Sequence, residues 1–270
     1  MTEGALQDHV VVITGAGSGL GAAFAHRLAA DGAHVVVNDV DGEAADLVAN
    51  EVDGEAAPFD VTDSAAFDAA VDTVVGRHGR LDVVVNNAGI APPFDRDRFD
   101  RTIANEMLRM EGRIDEMRPV DQLVDLTDDE WHQMLRVHLD GTFFGTRAAL
   151  RHMQPRRSGV IVNISSVLGL RPSPGAPHYS AAKAAIIALT KSAAQEVAHL
   201  GIRINAVCPG WVDTPLLSDF EDDARAIITS RVPIGRMARA EELAELVRFL
   251  AGPESSYSTG DVYPASGGYV

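Results

Sequence analysis

The chain has 270 residues, 46% hydrophobic and 23% charged, which suits one large globular domain with a real core and excludes disordered and low-complexity classes. Its 39 acidic against 23 basic residues leave a formal charge of −16, a surface that repels phosphate backbones and anionic lipid, so no nucleic acid and no membrane is an expected partner. Cys208 is the only cysteine, Met1–Val10 lacks a basic region followed by an apolar stretch, and no apolar run approaches ~18 residues, so a cytoplasmic protein without disulfides, leader or membrane span is expected.

His9–Thr14 is apolar and β-branched and reads as a strand, Gly15–Gly21 is a glycine cluster, and Ala22–Ala30 reads as a helix. Val35–Val37 is the next strand, followed by a helix over Asp41–Asn50, a weak strand over Ala56–Phe59, a helix over Ser64–His78 and a buried strand over Leu81–Val85. The rhythm then breaks between Gly89 and Leu126. Pro92 and Pro93 punctuate the chain, and Phe99, Ile103, Met107, Met110, Ile114 and Met117 recur at steps of 4, 4, 3, 4 and 3, an amphipathic helical stripe. Pro119 ends it and Gly112 offers a kink. Residues 91–126 thus form a helical insertion after the fourth strand: either a surface helix packed on the core, or a lid. Its position at a strand's carboxyl end, where open α/β sheets hold ligands, and its methionines favour the lid.

Alternation resumes with a helix over Asp128–Met153, a strand over Gly159–Ile164, a long helix over Ala176–Leu200 and a strand over Ile202–Val207. Glu241–Leu250 is a late helix and Gly260–Pro264 a final edge strand. Continuous apolar strands alternating with helices predict an α/β fold: a doubly wound parallel sheet, covered on both faces, in a single domain over residues 1–270.

Within that frame Thr14–Gly21 places Gly15, Gly19 and Gly21 in a Gly-x-x-x-Gly-x-Gly turn between strand and helix. Glycines there permit a tight turn and a close approach to a pyrophosphate, whose charge meets the helix N-terminus. Ser18 and Leu20 fall in the same turn. Asp39 closes the second strand, 24 residues after Gly15, where a carboxylate accepts hydrogen bonds from ribose hydroxyls and repels a 2′-phosphate. Val40 and the glycine turn supply no cation for such a phosphate, so NAD is the expected cofactor. Tyr179 and Lys183 stand four apart on one helix face, and Ser166 lies thirteen residues before Tyr179, just after a strand.

With Asp60-Val61, Asn86-Asn87-Ala88-Gly89 and Pro209-Gly210-Trp211-Val212-Asp213-Thr214 added to these, the chain resembles the short-chain dehydrogenase/reductase family, in its compact single-domain Rossmann branch, over nearly its whole length. The resemblance implies that Tyr179 is the general acid/base, that Ser166 orients the same substrate oxygen, and that Lys183 binds the nicotinamide ribose and assists Tyr179. It also implies that Asp60 contacts adenine, that Asn86, Asn87, Ala88 and Gly89 border the cofactor, that Thr214 lies near the nicotinamide carboxamide, and that Val61, Pro209, Gly210 and Val212 belong to the cofactor site as well. A free tyrosine titrates near ~10, and an ammonium ~5 Å away at an effective dielectric of ~20 contributes roughly 3 kcal/mol, which brings phenolate within reach at mildly alkaline pH. The family pattern usually has asparagine where this chain has His138, the fourth position of the proton relay; its other reading is a helix histidine satisfied by its neighbours.

These features lead to an expected NAD-dependent oxidoreductase interconverting a secondary alcohol and a ketone on a small or hydrophobic substrate. One alternative is an NADPH-dependent 3-oxoacyl thioester reductase, and one of another class is a non-catalytic dinucleotide-sensing scaffold. The resemblance implies a homotetramer, with the helices Asp128–Met153 and Ala176–Leu200 at an interface. No Cys/His or His-Glu-x-x-His spacing suggests a metal, and no Gly-x-Ser-x-Gly elbow supports a hydrolase.

Overall fold

A computed structural model describes residues 4–270; residues 1–3, at the head of the segment read as carrying no leader, lie outside the described residues. The chain runs β1 (Val10–Ile13), α1 (Gly19–Ala30), β2 (His34–Val37), α2 (Gly42–Glu51), β3 (Glu55–Ala56), α3 (Ser64–His78) and β4 (Val83–Asn86). It continues with α4 (Arg96–Met110), α5 (Gln122–Asp125), α6 (Asp128–Leu135), α7 (Gly141–Arg156), β5 (Gly159–Ile164), α8 (Val167–Leu170) and α9 (Pro177–Val197). It closes with β6 (Ile202–Pro209), α10 (Asp222–Ser230), α11 (Ala240–Ala251) and β7 (Val262–Ala265).

The strands form one seven-stranded sheet in the order β3-β2-β1-β4-β5-β6-β7, every neighbouring pair parallel. Both faces are covered, which explains why the central strands read as unbroken valine and isoleucine runs. Side chains alternate between two cores: Val11 and Ile13 of β1 join Phe24, Leu28 and Val247 on one face, while Val10 and Val12 join Phe67, Val71 and Met153 on the other. This is the Rossmann-like doubly wound fold expected from the alternation of elements. The order reverses between β1 and β4, and the carboxyl ends there open into a crevice.

Helix starts follow local chemistry. Asp41 caps α2 by accepting from the Glu43 and Ala44 N–H groups, Asp63 does the same for α3, and Thr127 with Glu130 forms a capping box on α6. A buried pair, Arg248 Nε to Asp31 Oδ2 at 2.6 Å, ties α11 to the end of α1. Among the described residues no helix is long and apolar enough to cross a membrane.

Three elements depart from the sequence reading. The helix expected over Asp128–Met153 is interrupted by a π turn at Arg136–Asp140, a widening that hydrophobic spacing does not encode. The third strand shortens to Glu55–Ala56. The apolar stripe of the insertion is not one continuous face: α4 stops at Met110, Gly112 takes a left-handed φ of 74°, and Met107, Met110 and Ile114 are exposed. Only its first half, including Phe99 and Ile103, lies against the crevice.

Candidate active site

The crevice is a cavity of about 1000 Å³ that runs from the glycine turn, across the carboxyl ends of β1, β4, β5 and β6, to α4 and α10. At one end Gly15 adopts φ 60°, and a Cβ there would lie 2.7 Å from Ala88 Cα, so only glycine lets the turn press against the end of β4. Thr14 joins the same two strands: its Oγ1 accepts from the Asn87 and Ala88 N–H groups at 3.0 and 3.1 Å. Asn87 Nδ2 in turn donates to the Thr14 and Gly15 carbonyls. Ser18 opens α1 without a side-chain cap, which leaves the first helical N–H groups at the crevice wall, where the helix end is positive.

Asp39 lines the same end; its Oδ2 accepts from Gly17 N at 3.0 Å and its Oδ1 from Asp41 N at 3.1 Å. These bonds aim the carboxylate across the turn. Asn38, which sequence reasoning missed, is buried beside it; Nδ2 donates to the Ala57 and Phe59 carbonyls, while Oδ1 is buried without a partner. Asp60 and Val61 line the opposite wall, Asp60 held by the Thr62 N–H at 2.8 Å. The helix end, the carboxylate and the cavity space between them match what a dinucleotide needs, so the residues present fit such a cofactor.

Of the turn residues singled out from the sequence, Gly15, Ser18, Gly19 and Leu20 line the cavity and Gly21 does not. Gly21 is buried beneath the turn, where a Cβ would lie 2.7 Å from both Ala16 Cα and Asn87 Nδ2; it serves packing. Ala88, Gly89, Pro209, Gly210, Val212 and Thr214 all reach the cavity, at the ends of β4 and β6.

At the centre stand Ser166, Tyr179, Lys183 and His138. Ser166 caps α8, its Oγ accepting from Leu168 N at 3.1 Å. Tyr179 and Lys183 project from successive turns of α9, with Lys183 Nζ 5.5 Å from the phenol ring centroid. Lys183 is buried, and its Nζ donates to the Ile164 carbonyl at 2.9 Å. Burial lowers its pKa to about 7. Burial also pushes the Tyr179 phenol above its ordinary range, with the Ser166 hydroxyl working in the opposite direction. The expected lowering of the phenol by an adjacent ammonium is therefore not what this geometry shows, because the same desolvation drives both groups toward their neutral forms.

His138 sits in the π turn, 2% exposed, with its ring edge-on to Tyr179 at 5.2 Å between centroids. Its Nε2 lies 2.9 Å from the Ile90 carbonyl and 3.1 Å from the Ile90 N–H, and its Nδ1 is buried without a partner. Gly89 makes room for it, since a Cβ there would lie 2.5 Å from His138 Cε1. Burial, and then the nearby Lys183 charge, hold the imidazole well below its ordinary pKa. The ring is a neutral group that grips the end of β4.

The far end of the cavity carries four aromatic rings beside charged side chains that include Arg98, Glu106 and Arg231. Phe94 and Phe99 from the insertion meet Trp211 and Phe220 from the segment after β6, with Phe94 and Phe220 centroids 4.3 Å apart. Periodicity did not reveal this meeting, because the second segment has none. Elsewhere, His34, Glu55 and His78 bring ligand-type atoms within 4.8 Å of one another, a proximity that sequence spacing did not show; Arg77 pairs with the same Glu55.

Residues 9–111 match the family model described as short chain dehydrogenase, and residues 116–270 the one described as enoyl-(acyl carrier protein) reductase. The chain is 37% identical over 270 residues to a 3-oxoacyl-(acyl-carrier-protein) reductase of Thermotoga maritima, covering 98% of this chain and 99% of that one. It is 40% identical over 270 residues to the cis-4-hydroxycyclohexanecarboxylate dehydrogenase of Sinomonas cyclohexanicum, covering 98% of each. A crystal structure described as a ribose-5-phosphate isomerase from Brucella melitensis superposes with a TM-score of 0.83 at 34% identity, over 99% of this chain and 94% of that one.

Proposed function

The chain belongs to the short-chain dehydrogenase/reductase family, oxidoreductases that use a nicotinamide dinucleotide, and from that premise we propose that it is NAD-dependent and interconverts a secondary alcohol and a ketone on a small or hydrophobic substrate. The observation that carries the reading is the convergence of Ser166, Tyr179 and Lys183 on one cavity whose other end is built for a dinucleotide. When bound, the nicotinamide supplies or accepts the hydride. The protein's task is to hold the substrate oxygen and move one proton.

Ser166 and Tyr179 are the groups for that oxygen. A phenol raised by burial is protonated near neutral pH, which equips Tyr179 to donate to a ketone oxygen; the reverse step needs phenolate and gains with rising pH. Lys183, buried beneath the ring, is the group for the nicotinamide ribose hydroxyls. His138 holds Ile90 and the edge of Tyr179 in register. NAD rather than NADP follows from Asp39: its carboxylate suits free ribose hydroxyls, and the exposed Val40 beside it offers a 2′-phosphate no cation.

A second reading, an NADPH-dependent 3-oxoacyl thioester reductase, draws support from relatives that carry that reductase name. The dehydrogenase relative with a ring alcohol in its name supports the first. A non-catalytic sensing scaffold has no comparable support, since it has no use for Ser166, Tyr179 and Lys183 together. The enzyme is further proposed to be a homotetramer, and the insertion to roof the substrate end.

The test is parallel fluorescence titration with NADH and NADPH, followed by turnover of secondary alcohols. NADH should bind more tightly, and Asp39→Ala should shift the ratio toward NADPH by tenfold or more. An unchanged ratio would remove Asp39 from cofactor choice. Tyr179→Phe should reduce turnover at least ~1000-fold with NADH affinity preserved; retained turnover would remove Tyr179 from the chemistry.

A further inference from the structure

We infer that the substrate end of the cavity is a wall for an apolar ring, so that the carbinol or ketone presented to Tyr179 belongs to a cyclic rather than an open-chain substrate. The inference rests on the oxidoreductase reading for its reaction and on the aromatic wall for its shape.

Four rings converge there from two segments distant in sequence. Phe94 and Phe99 stand 5.7 Å apart, Phe99 and Phe220 6.4 Å, and Trp211 and Phe220 6.4 Å, measured between centroids. All four are half-buried and all four line the cavity that also holds Ser166 and Tyr179. Phe94 and Phe220 close on each other at 4.3 Å, yet all four rings keep surface on the cavity that Ser166 and Tyr179 also line. Aromatic faces and edges offer broad, rigid contact, which a ring meets without freezing rotatable bonds, whereas an open chain must lose them on entry.

The charges near the wall point the same way. Arg98 is committed to Asp125 at 2.7 Å and to Gln122, and Arg231 to Glu106. Arg136, exposed on the π turn, is the lining guanidinium without an ion pair among the described residues. Beside the rings themselves, no uncommitted Lys or Arg among the described residues waits for a carboxylate or phosphate. A neutral apolar ring therefore meets complementary surface, while a substrate with an anionic tail must extend that tail to Arg136.

The experiment compares 4-methylcyclohexanone with 2-heptanone, which have equal carbon counts. Two readouts are taken: kcat/KM with the reduced dinucleotide, and binding to the oxidised dinucleotide complex through Trp211 fluorescence in a Trp131→Phe background. The wild-type enzyme should favour the cyclic ketone at least tenfold in both. Phe220→Ala, and Phe220→Leu as the variant that keeps apolar volume without a ring, should bring the ratio to within about threefold while dinucleotide affinity is unchanged. Equal or better use of 2-heptanone, or a ring preference that survives both variants, overturns the inference. Preferential binding of the ring with reduction of neither ketone would sink the oxidoreductase reading and leave the wall standing. Reduction of both without preference would sink the wall alone.

Discussion

Lys183 lines the same cavity as Gly15, Gly19, Asp39 and Tyr179, and it does so from a buried position. What spacing cannot show is the dielectric around a group. Lys183 is the instructive case: burial holds it to about 7, against 10.5 for the free side chain. Between those two values the unfolded chain binds a proton that the folded chain does not, so stability rises with pH across that window. Below about pH 7 both states carry the charge, and the folded state bears the full desolvation cost. Lys183→Met removes the group. Its melting temperature should therefore exceed wild type most at about pH 6.5, and the advantage should shrink steadily toward pH 9.5. A gap that stays constant by scanning calorimetry would mean that folded Lys183 keeps its proton. His138 differs from Lys183 in that its orphaned Nδ1 and its hold on Ile90 could be learned only from the folded ring.

Among the elements, the sheet and its helices were readable from apolar runs and caps, whereas the insertion was only half readable. Its first turns face the crevice, yet Met107, Met110 and Ile114 stand exposed, so the stripe in the sequence outruns the surface that uses it. The partner of the first half, the segment from Trp211 through α10, has no period to read. Across the cavity mouth the two are joined in two ways. Arg96 pairs with Glu221 at 2.7 Å and Asp223 at 2.6 Å, and Arg231 pairs with Glu106. The four rings interlock beside them. Exposed ion pairs are weak and screened by salt, while aromatic pairs contribute about 0.5–1.5 kcal/mol each beyond their buried area, so the rings dominate the clasp. Phe94→Ser should accordingly quicken limited proteolysis within residues 94–118 and raise KM several-fold, with NADH affinity steady. Arg96→Ala should do neither at ~0.15 M salt. If Arg96→Ala alone opens the segment, the ion pairs hold it instead.

At the scale of the whole molecule, the acidic surface and the proposed tetramer pull against each other. Each chain carries −16, so subunits can associate only where apolar area outweighs repulsion, and where charges lie within the screening length of ~8 Å the cost is greatest. The outer faces of α7 and α9 are the proposed contact surfaces. Phe143 is 41% exposed on α7, beside Phe144, and Arg147 stacks over both rings at 5.1 and 5.2 Å. On α9, Ala181 and Ala188 are exposed and Ala184 and Ala185 half-buried, small side chains that let a facing helix approach closely. A carboxylate placed at position 143 would remove the exposed ring and put in its place a charge with only Arg147 beside it, which a covering subunit would have to desolvate. Phe143→Asp should therefore move the mass by light scattering from roughly four times the 28.7 kDa chain to that of a smaller species, with the fold intact by circular dichroism. Gly15, Asp39 and Asp60 of the same chain line the dinucleotide end of the cavity, so NADH should still bind that species. An unchanged mass would place the subunit contacts on another face.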